Sequence, residues 1–133
     1  MKILYKGKDG GNLSTVTGYW LIECKSLFSI VLLKFEGNSR QAYHTHAFSS
    51  ISWLLKGQLI EEFLNNSNTK NYTASWLPIF TAKDNFHKVS SNGVSWVLSF
   101  RGRWDSKWLE NTYQEGTYTL QNGRIREEQI NNK

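Results

Sequence analysis

Tyr43-His44-Thr45-His46-Ala47-Phe48-Ser49-Ser50-Ile51-Ser52-Trp53-Leu54-Leu55-Lys56-Gly57 is the stretch on which the reading of this chain turns. It holds two of the three histidines in the sequence, at i and i+2. On a strand, residues two apart project from the same face, with Cβ atoms about 6–7 Å apart. Two imidazoles so placed can converge on one ion with metal–nitrogen bonds of about 2.0–2.2 Å. A third ligand must come from another strand, and His87, just after the turn Lys83-Asp84-Asn85, opens one. His44, His46 and His87 are the candidate metal ligands. If the first two face inward, strand parity turns Ser50 and Ser52 inward as well, where hydroxyls leave room for a ligand and offer it hydrogen bonds.

Outward from this stretch the chain is a series of short β runs separated by Gly, Asn and Ser clusters. Strands are expected near Tyr19–Cys24, Phe28–Phe35, Ala42–His46, Ile51–Leu55, Gln58–Leu64, Tyr72–Ile79, His87–Val89, Val94–Phe100 and Thr117–Leu120. Turns are expected at Glu36-Gly37-Asn38, Lys56-Gly57, Asn65–Asn71, Lys83–Asn85 and Ser91-Asn92-Gly93. Asn92-Gly93 between two β runs signals a hairpin, since both residues accept positive φ. Trp104–Gln114 is expected to form a short helix, with Trp104 and Trp108 on one face, and Arg124–Lys133 is a polar tail. There is no repeat or linker. Many short antiparallel strands in one domain, residues 1–133, mean a sandwich or a closed barrel.

The single cysteine, Cys24, excludes a disulfide framework within the chain and favours a cytoplasmic setting. The N-terminal run lacks the apolar segment of a signal peptide. The longest apolar stretch, Leu27 to Phe35, falls far short of the roughly 20 residues of a membrane helix. Sixteen basic against eleven acidic residues give a net charge of +5. The basic residues are scattered, which argues against nucleic acid and favours a small anionic ligand.

The frame His44-Thr45-His46, three residues, Ser50, six residues, Gly57 resembles the first motif of the cupins, G(x)5HxH(x)3–4E(x)6G, with serine in place of the glutamate. Trp76 … His87 loosely resembles the second, G(x)5PxG(x)2H(x)3N: His87 matches, while Ala82, Asp84 and Ser91 replace proline, glycine and asparagine. HTHAFSSISWLLKGQLIEEF, FTAKDNFHKV and SWVLSFRGRWDSKW are similar to small single-domain cupins of bacteriophages and bacteria, which have no assigned reaction. The resemblance covers roughly residues 28–110. It implies an all-β double-stranded β-helix, or jelly-roll barrel, over about 19–102, with a short C-terminal helix or extension over about 103–133. It also implies a facial three-histidine centre with open positions for water, oxygen or substrate, in the host cytoplasm if the chain is phage-encoded.

Three neutral imidazoles leave an ion's full +2 charge, which attracts anions. Imidazole suits iron, nickel, copper and zinc, and manganese is possible; open positions favour iron(II). Glu61 and Glu62 are the nearby acidic pair, and alternation sends them to opposite faces. On Val94–Phe100, either Trp96, Leu98 and Phe100 or Ser95, Ser99 and Arg101 faces the barrel; the apolar set is the natural cavity wall. Arg101, Arg103 and Arg40 are candidates for holding a carboxylate or phosphate. The leading function is a metal-dependent, oxygenase-type enzyme on a small anionic metabolite; isomerisation or hydrolysis suits zinc or nickel. The alternative is a pocket that sequesters a metabolite or nucleotide signal without turnover. A homodimer is expected, with LSTVTGYWLIEC as a strand able to pair with a neighbouring chain.

Overall fold

The computed structural model describes residues 1–9, 14–38, 43–63, 66–83, 85, 87–105, 107–112, 116–121 and 125–126. Among these residues every regular element is a strand: β1 Lys2–Lys8, β2 Thr17–Cys24, β3 Phe28–Asn38, β4 Tyr43–His44, β5 Ser50–Lys56, β6 Gln58–Phe63, β7 Asn66–Thr73, β8 Ile79–Thr81, β9 His87–Arg101, β10 Lys107–Thr112, β11 Gly116–Gln121 and β12 Ile125–Arg126. All pairings are antiparallel.

The fifteen-residue β9 organises the molecule. Along one edge it pairs with β3 and then, at His87 opposite His44, with β4. Along the other it pairs with β5 and then β6. β3 and the successive strands β5 and β6 bend, like β9 itself, at the same level. Gly37 in β3, Gly57 between β5 and β6, and Gly93 in β9 all have positive φ, at 63°, 100° and 77°. Register shifts accompany the first two, between Glu36 and Asn38 and between Leu54 and Lys56. This row of left-handed residues across neighbouring strands is the crease that turns a sheet into a barrel. At Gly57 a side chain has no room, because a Cβ would fall 2.7 Å from the Ser95 Cα.

Val16, Trp20, Val31, Leu33, Leu54, Leu59 and Val97 form the main core. Full burial of a residue such as Val31 or Leu54 contributes roughly 1.5–3 kcal/mol. Tyr5 of β1 stacks on Trp20, ring centroids 4.8 Å apart and planes within 3°, and closes one end of it.

Several expectations are corrected. Asn92-Gly93 makes no hairpin: β9 runs through it, because both flanking halves keep partners on the same two edges. No helix occupies the described part of Trp104–Gln114; Lys107–Thr112 pairs with β11, so Trp104 and Trp108 share no helix face. The Asn-rich run expected to turn is β7, held by β6, and Tyr72–Ile79 is not one strand. The strand around the first two histidines stops at His44. Lys2–Lys8 is a strand the sequence pattern did not reveal, and it occupies the edge of β2 that was expected to receive a neighbouring chain; β3 takes the other. No helix among the described residues is long and apolar enough to cross a membrane.

Candidate functional site

A cavity of about 110 Å³ opens inside the barrel. Along β9 the inward residues are odd-numbered. His87, Ser91, Ser95, Val97, Ser99 and Arg101 are buried, while Trp96, Leu98 and Phe100 are less so. The apolar set expected to line the cavity therefore forms the outer face. Trp96 lies there against Tyr19, centroids 5.9 Å apart, with the Lys34 ammonium over its ring. Of the β9 serines Ser99 lines the cavity, where a small side chain leaves it volume, while Ser91 and Ser95 hydrogen-bond to each other. Ser50 and Ser52 of β5 also line it, and the Ser52 hydroxyl donates to Ser99 Oγ at 3.0 Å.

His87, 4% exposed, sits at the start of β9 with its Nε2 2.7 Å from the Nε2 of His46. Their rings meet edge to face, centroids 4.9 Å apart. His46 lies beyond the end of β4, where its amide donates to the Lys83 carbonyl at 2.9 Å. The other nitrogen of His87, Nδ1, is 2.5 Å from Glu61 Oε2, and the Tyr72 hydroxyl donates to Glu61 Oε1 at 2.9 Å. Burial pushes the Glu61 carboxyl up, but hydrogen bonds from His87 and Tyr72 outweigh it and hold the group below the usual glutamate range. Burial, then the Glu61 carboxylate, drives the Tyr72 phenol well above its ordinary value. An ionised Glu61 accepts the Nδ1 proton of His87, so the network assigns the lone pair of neutral His87 to Nε2, facing His46.

This donor set fits a transition ion. A ligating histidine characteristically gives its second N–H to a carboxylate, as His87 does to Glu61. Two nitrogens bonded to one ion at about 2.1 Å stand roughly 3 Å apart, a few tenths of an ångström more than the observed spacing. The His44 backbone is directly across from His87 on β4; its side chain lies outside the described residues, among which no group of three ligating side chains is assembled.

The remaining sequence candidates divide. Arg101 is buried on the cavity wall, its guanidinium paired with Asp9. Arg103 is exposed, Arg40 lies outside the described residues, and Glu62 is at the surface beside Lys88, 3.3 Å away. Sequence reasoning missed Tyr72 and Asp9 as members of the site. For Glu61 a signal existed: it shares parity with Leu59, the apolar residue of its strand that must face the core.

No family model matches the sequence, and no curated protein matches it. Solved structures do match in fold. A cupin superfamily protein from Desulfitobacterium hafniense superposes with a TM-score of 0.55 at 11% identity, over 71% of this chain and 84% of that one. Pac13, a nucleoside dehydratase from Streptomyces, gives 0.56 at 12% identity over 84% and 82%. The polyketide cyclase RemF from Streptomyces resistomycificus gives 0.57 at 15% identity over 66% and 65%. At these identities the likeness is one of fold, and the shared fold is the jelly-roll barrel.

Proposed function

We propose that this small protein of the cupin fold is a metal-dependent enzyme, with one divalent transition ion held by His46, His87 and His44 and a small anionic metabolite bound in the cavity beside it. The observation that carries the reading is the chain Tyr72–Glu61–His87–His46, which aims a carboxylate-backed imidazole into a serine-lined cavity. A bound ion supplies Lewis acidity there and, as iron(II), the first choice for such a set, oxygen activation. Glu61 keeps the His87 proton on Nδ1 and fixes the ring plane. Ser50, Ser52 and Ser99 offer hydroxyls to the substrate, and Val97 and Leu59 exclude water around it. That a nucleoside dehydratase and a polyketide cyclase are built on similar barrels supports a catalytic use of the interior.

A second reading rests on the hydrogen bond between the two imidazoles. A carboxylate-backed His87 sharing a proton with His46 is equipped for general acid–base chemistry without an ion.

Elemental analysis of untagged protein, followed by a screen for metabolites consumed from cell extract, separates these readings. Close to one equivalent of a transition ion is expected in the wild type and little in His46→Ala. Less than about a tenth of an equivalent when iron, manganese, nickel, zinc and copper are offered in turn rules out the metal centre. Turnover by metal-free protein establishes the acid–base reading. A ligand held tightly but recovered intact, with or without metal, replaces both by sequestration. The same proposal includes a homodimer, supported by the exposed apolar residues Phe28, Ile51, Phe80 and Phe100 on the outer face of neighbouring strands.

A further inference from the structure

Arg101 is 4% exposed, and the described carboxylate that pairs with it belongs to Asp9, 92 residues earlier. The pair is two-pronged: one terminal nitrogen donates to Asp9 Oδ1 at 3.2 Å and the other to Oδ2 at 2.8 Å. The third nitrogen, Nε, is buried without a hydrogen-bond partner. The guanidinium lies over the Phe48 ring, 4.6 Å from its centroid, and that ring also meets His46, at 5.1 Å between centroids, and Trp104, at 5.0 Å. Arg101 and the histidine pair are thus one aromatic ring apart in a single cavity, which Asp9 also lines. Asp9 does not belong to the barrel strands. It follows β1, the edge strand of the sheet, and its side chain is 29% exposed, so water is within its reach.

A buried guanidinium fork with one donor unused, opening into a cavity, is the arrangement that recognises a carboxylate or phosphate. Here a carboxylate of the chain itself fills that place. We propose that Arg101 is the anion-recognition residue of the ligand site and that Asp9 is an intramolecular stand-in, displaced when the anionic group of the ligand enters. The proposal deepens the reading of this cavity as the substrate site and rests on it. Asp9 then acts as a selectivity gate. A neutral molecule has nothing to offer Arg101 in exchange, whereas an anion does, and the released Asp9 turns to solvent. An anion seated side-on would instead engage Nε together with one terminal nitrogen, a donor that Asp9 leaves unused.

The test uses inorganic phosphate and acetate as probes, titrated calorimetrically into the wild type, Asp9→Asn, Asp9→Asn with Arg101→Gln, and Asp9→Asn with His46→Ala. Removing the Asp9 charge is expected to tighten phosphate binding by about tenfold or more, with acetate gaining less. The gain should vanish with Arg101→Gln and survive His46→Ala. No gain in Asp9→Asn, or a gain that persists without Arg101, overturns the proposal. A gain lost with His46→Ala places the anion on the histidine centre and also overturns it, while leaving the metal reading intact; conversely, absence of metal in the elemental analysis leaves this test unaffected. Thermal unfolding covers poorly folding variants. Phosphate should raise the Tm of Asp9→Asn and Asp9→Ser more than that of the wild type. If both variants are unfolded and phosphate rescues neither, Asp9 is a structural counterion and the proposal fails.

Discussion

At the scale of single residues, Glu61 and Glu62 show how a small difference in position divides two like side chains. Glu62 meets Lys88 at the surface, where an ion pair is worth about 0–1 kcal/mol. Glu61 is buried between His87 and Tyr72, where its charge sets which nitrogen of His87 carries the proton. Glu61→Gln is therefore expected to weaken metal binding by about 10–100-fold, measured by competition with a chelator, whereas Glu62→Gln leaves it unchanged. Equal effects would show that charge alone, not orientation of His87, governs the centre. Tyr72→Phe should cost about 1 kcal/mol in thermal unfolding, the net worth of one hydrogen bond. Spacing and frame led to His46 and His87, which meet at one cavity, and parity to Ser50 and Ser52 in its lining; of His44 only the backbone position opposite His87 is described. Trp96 was misplaced because a strand's apolar face normally turns inward; on β9 the interior is a cavity, so serines and Arg101 took that side. Asp9 could not be found, since no local pattern reports a pairing across 92 residues.

Among the elements, the creased strands were the hardest to read. Gly37, Gly57 and Gly93 were all expected in turns and all have positive φ, but the same backbone geometry ends one strand in a hairpin and merely bends another. Which occurs depends on whether neighbouring strands continue past the glycine, and that is long-range information. β7 failed for a related reason: an Asn- and Ser-rich run has weak strand propensity, and its pairing to β6 overrides it. The crease yields a graded expectation. Gly93→Ala meets open space and costs only left-handed strain, about 1–2 kcal/mol. Gly57→Ala adds a collision with Ser95, whose Oγ accepts from the Gln58 amide and donates to the Gln58 carbonyl. It should cost about 3 kcal/mol or more. Chemical denaturation of the two variants checks the order, and equal losses would mean that the sheet can shift at Gly57 to admit a methyl group.

For the whole molecule, an all-β fold was legible from period-two alternation, and the barrel from the histidine frame. What covers its outside was not. The register aligns Ile22, Ile30, Phe100, Ile51 and Phe80 in one row across β2, β3, β9, β5 and β8. Phe80 is 72% exposed and Phe100 40%, with Leu55 and Phe28 exposed on the same strands. A continuous apolar row on a sheet face suits a second copy of the chain packed about a two-fold axis. Sedimentation equilibrium at micromolar concentration should give about twice 15.4 kDa, and Phe80→Glu with Phe100→Glu should halve it. A wild type that sediments only at the monomer mass would leave the row without an occupant.

β9 carries His87 at its first residue and Arg101 at its last, and it fills the gap between β3 and β5. None of its strand partners is followed closely in the chain by β9 itself; β3 lies about sixty residues upstream. Loops of about 24 residues, from Phe63 of β6 to His87, up to about sixty must close before these pairings form, a topology that folds in milliseconds to seconds rather than microseconds. On the ribosome, the first 86 residues hold His44 and His46 but neither His87 nor Arg101, so on the proposed reading a chain of that length does not yet carry the complete site. On the proposed reading capture would begin only when β9 docks between β3 and β5, at the step that also closes the barrel, so maturation and folding would be one event.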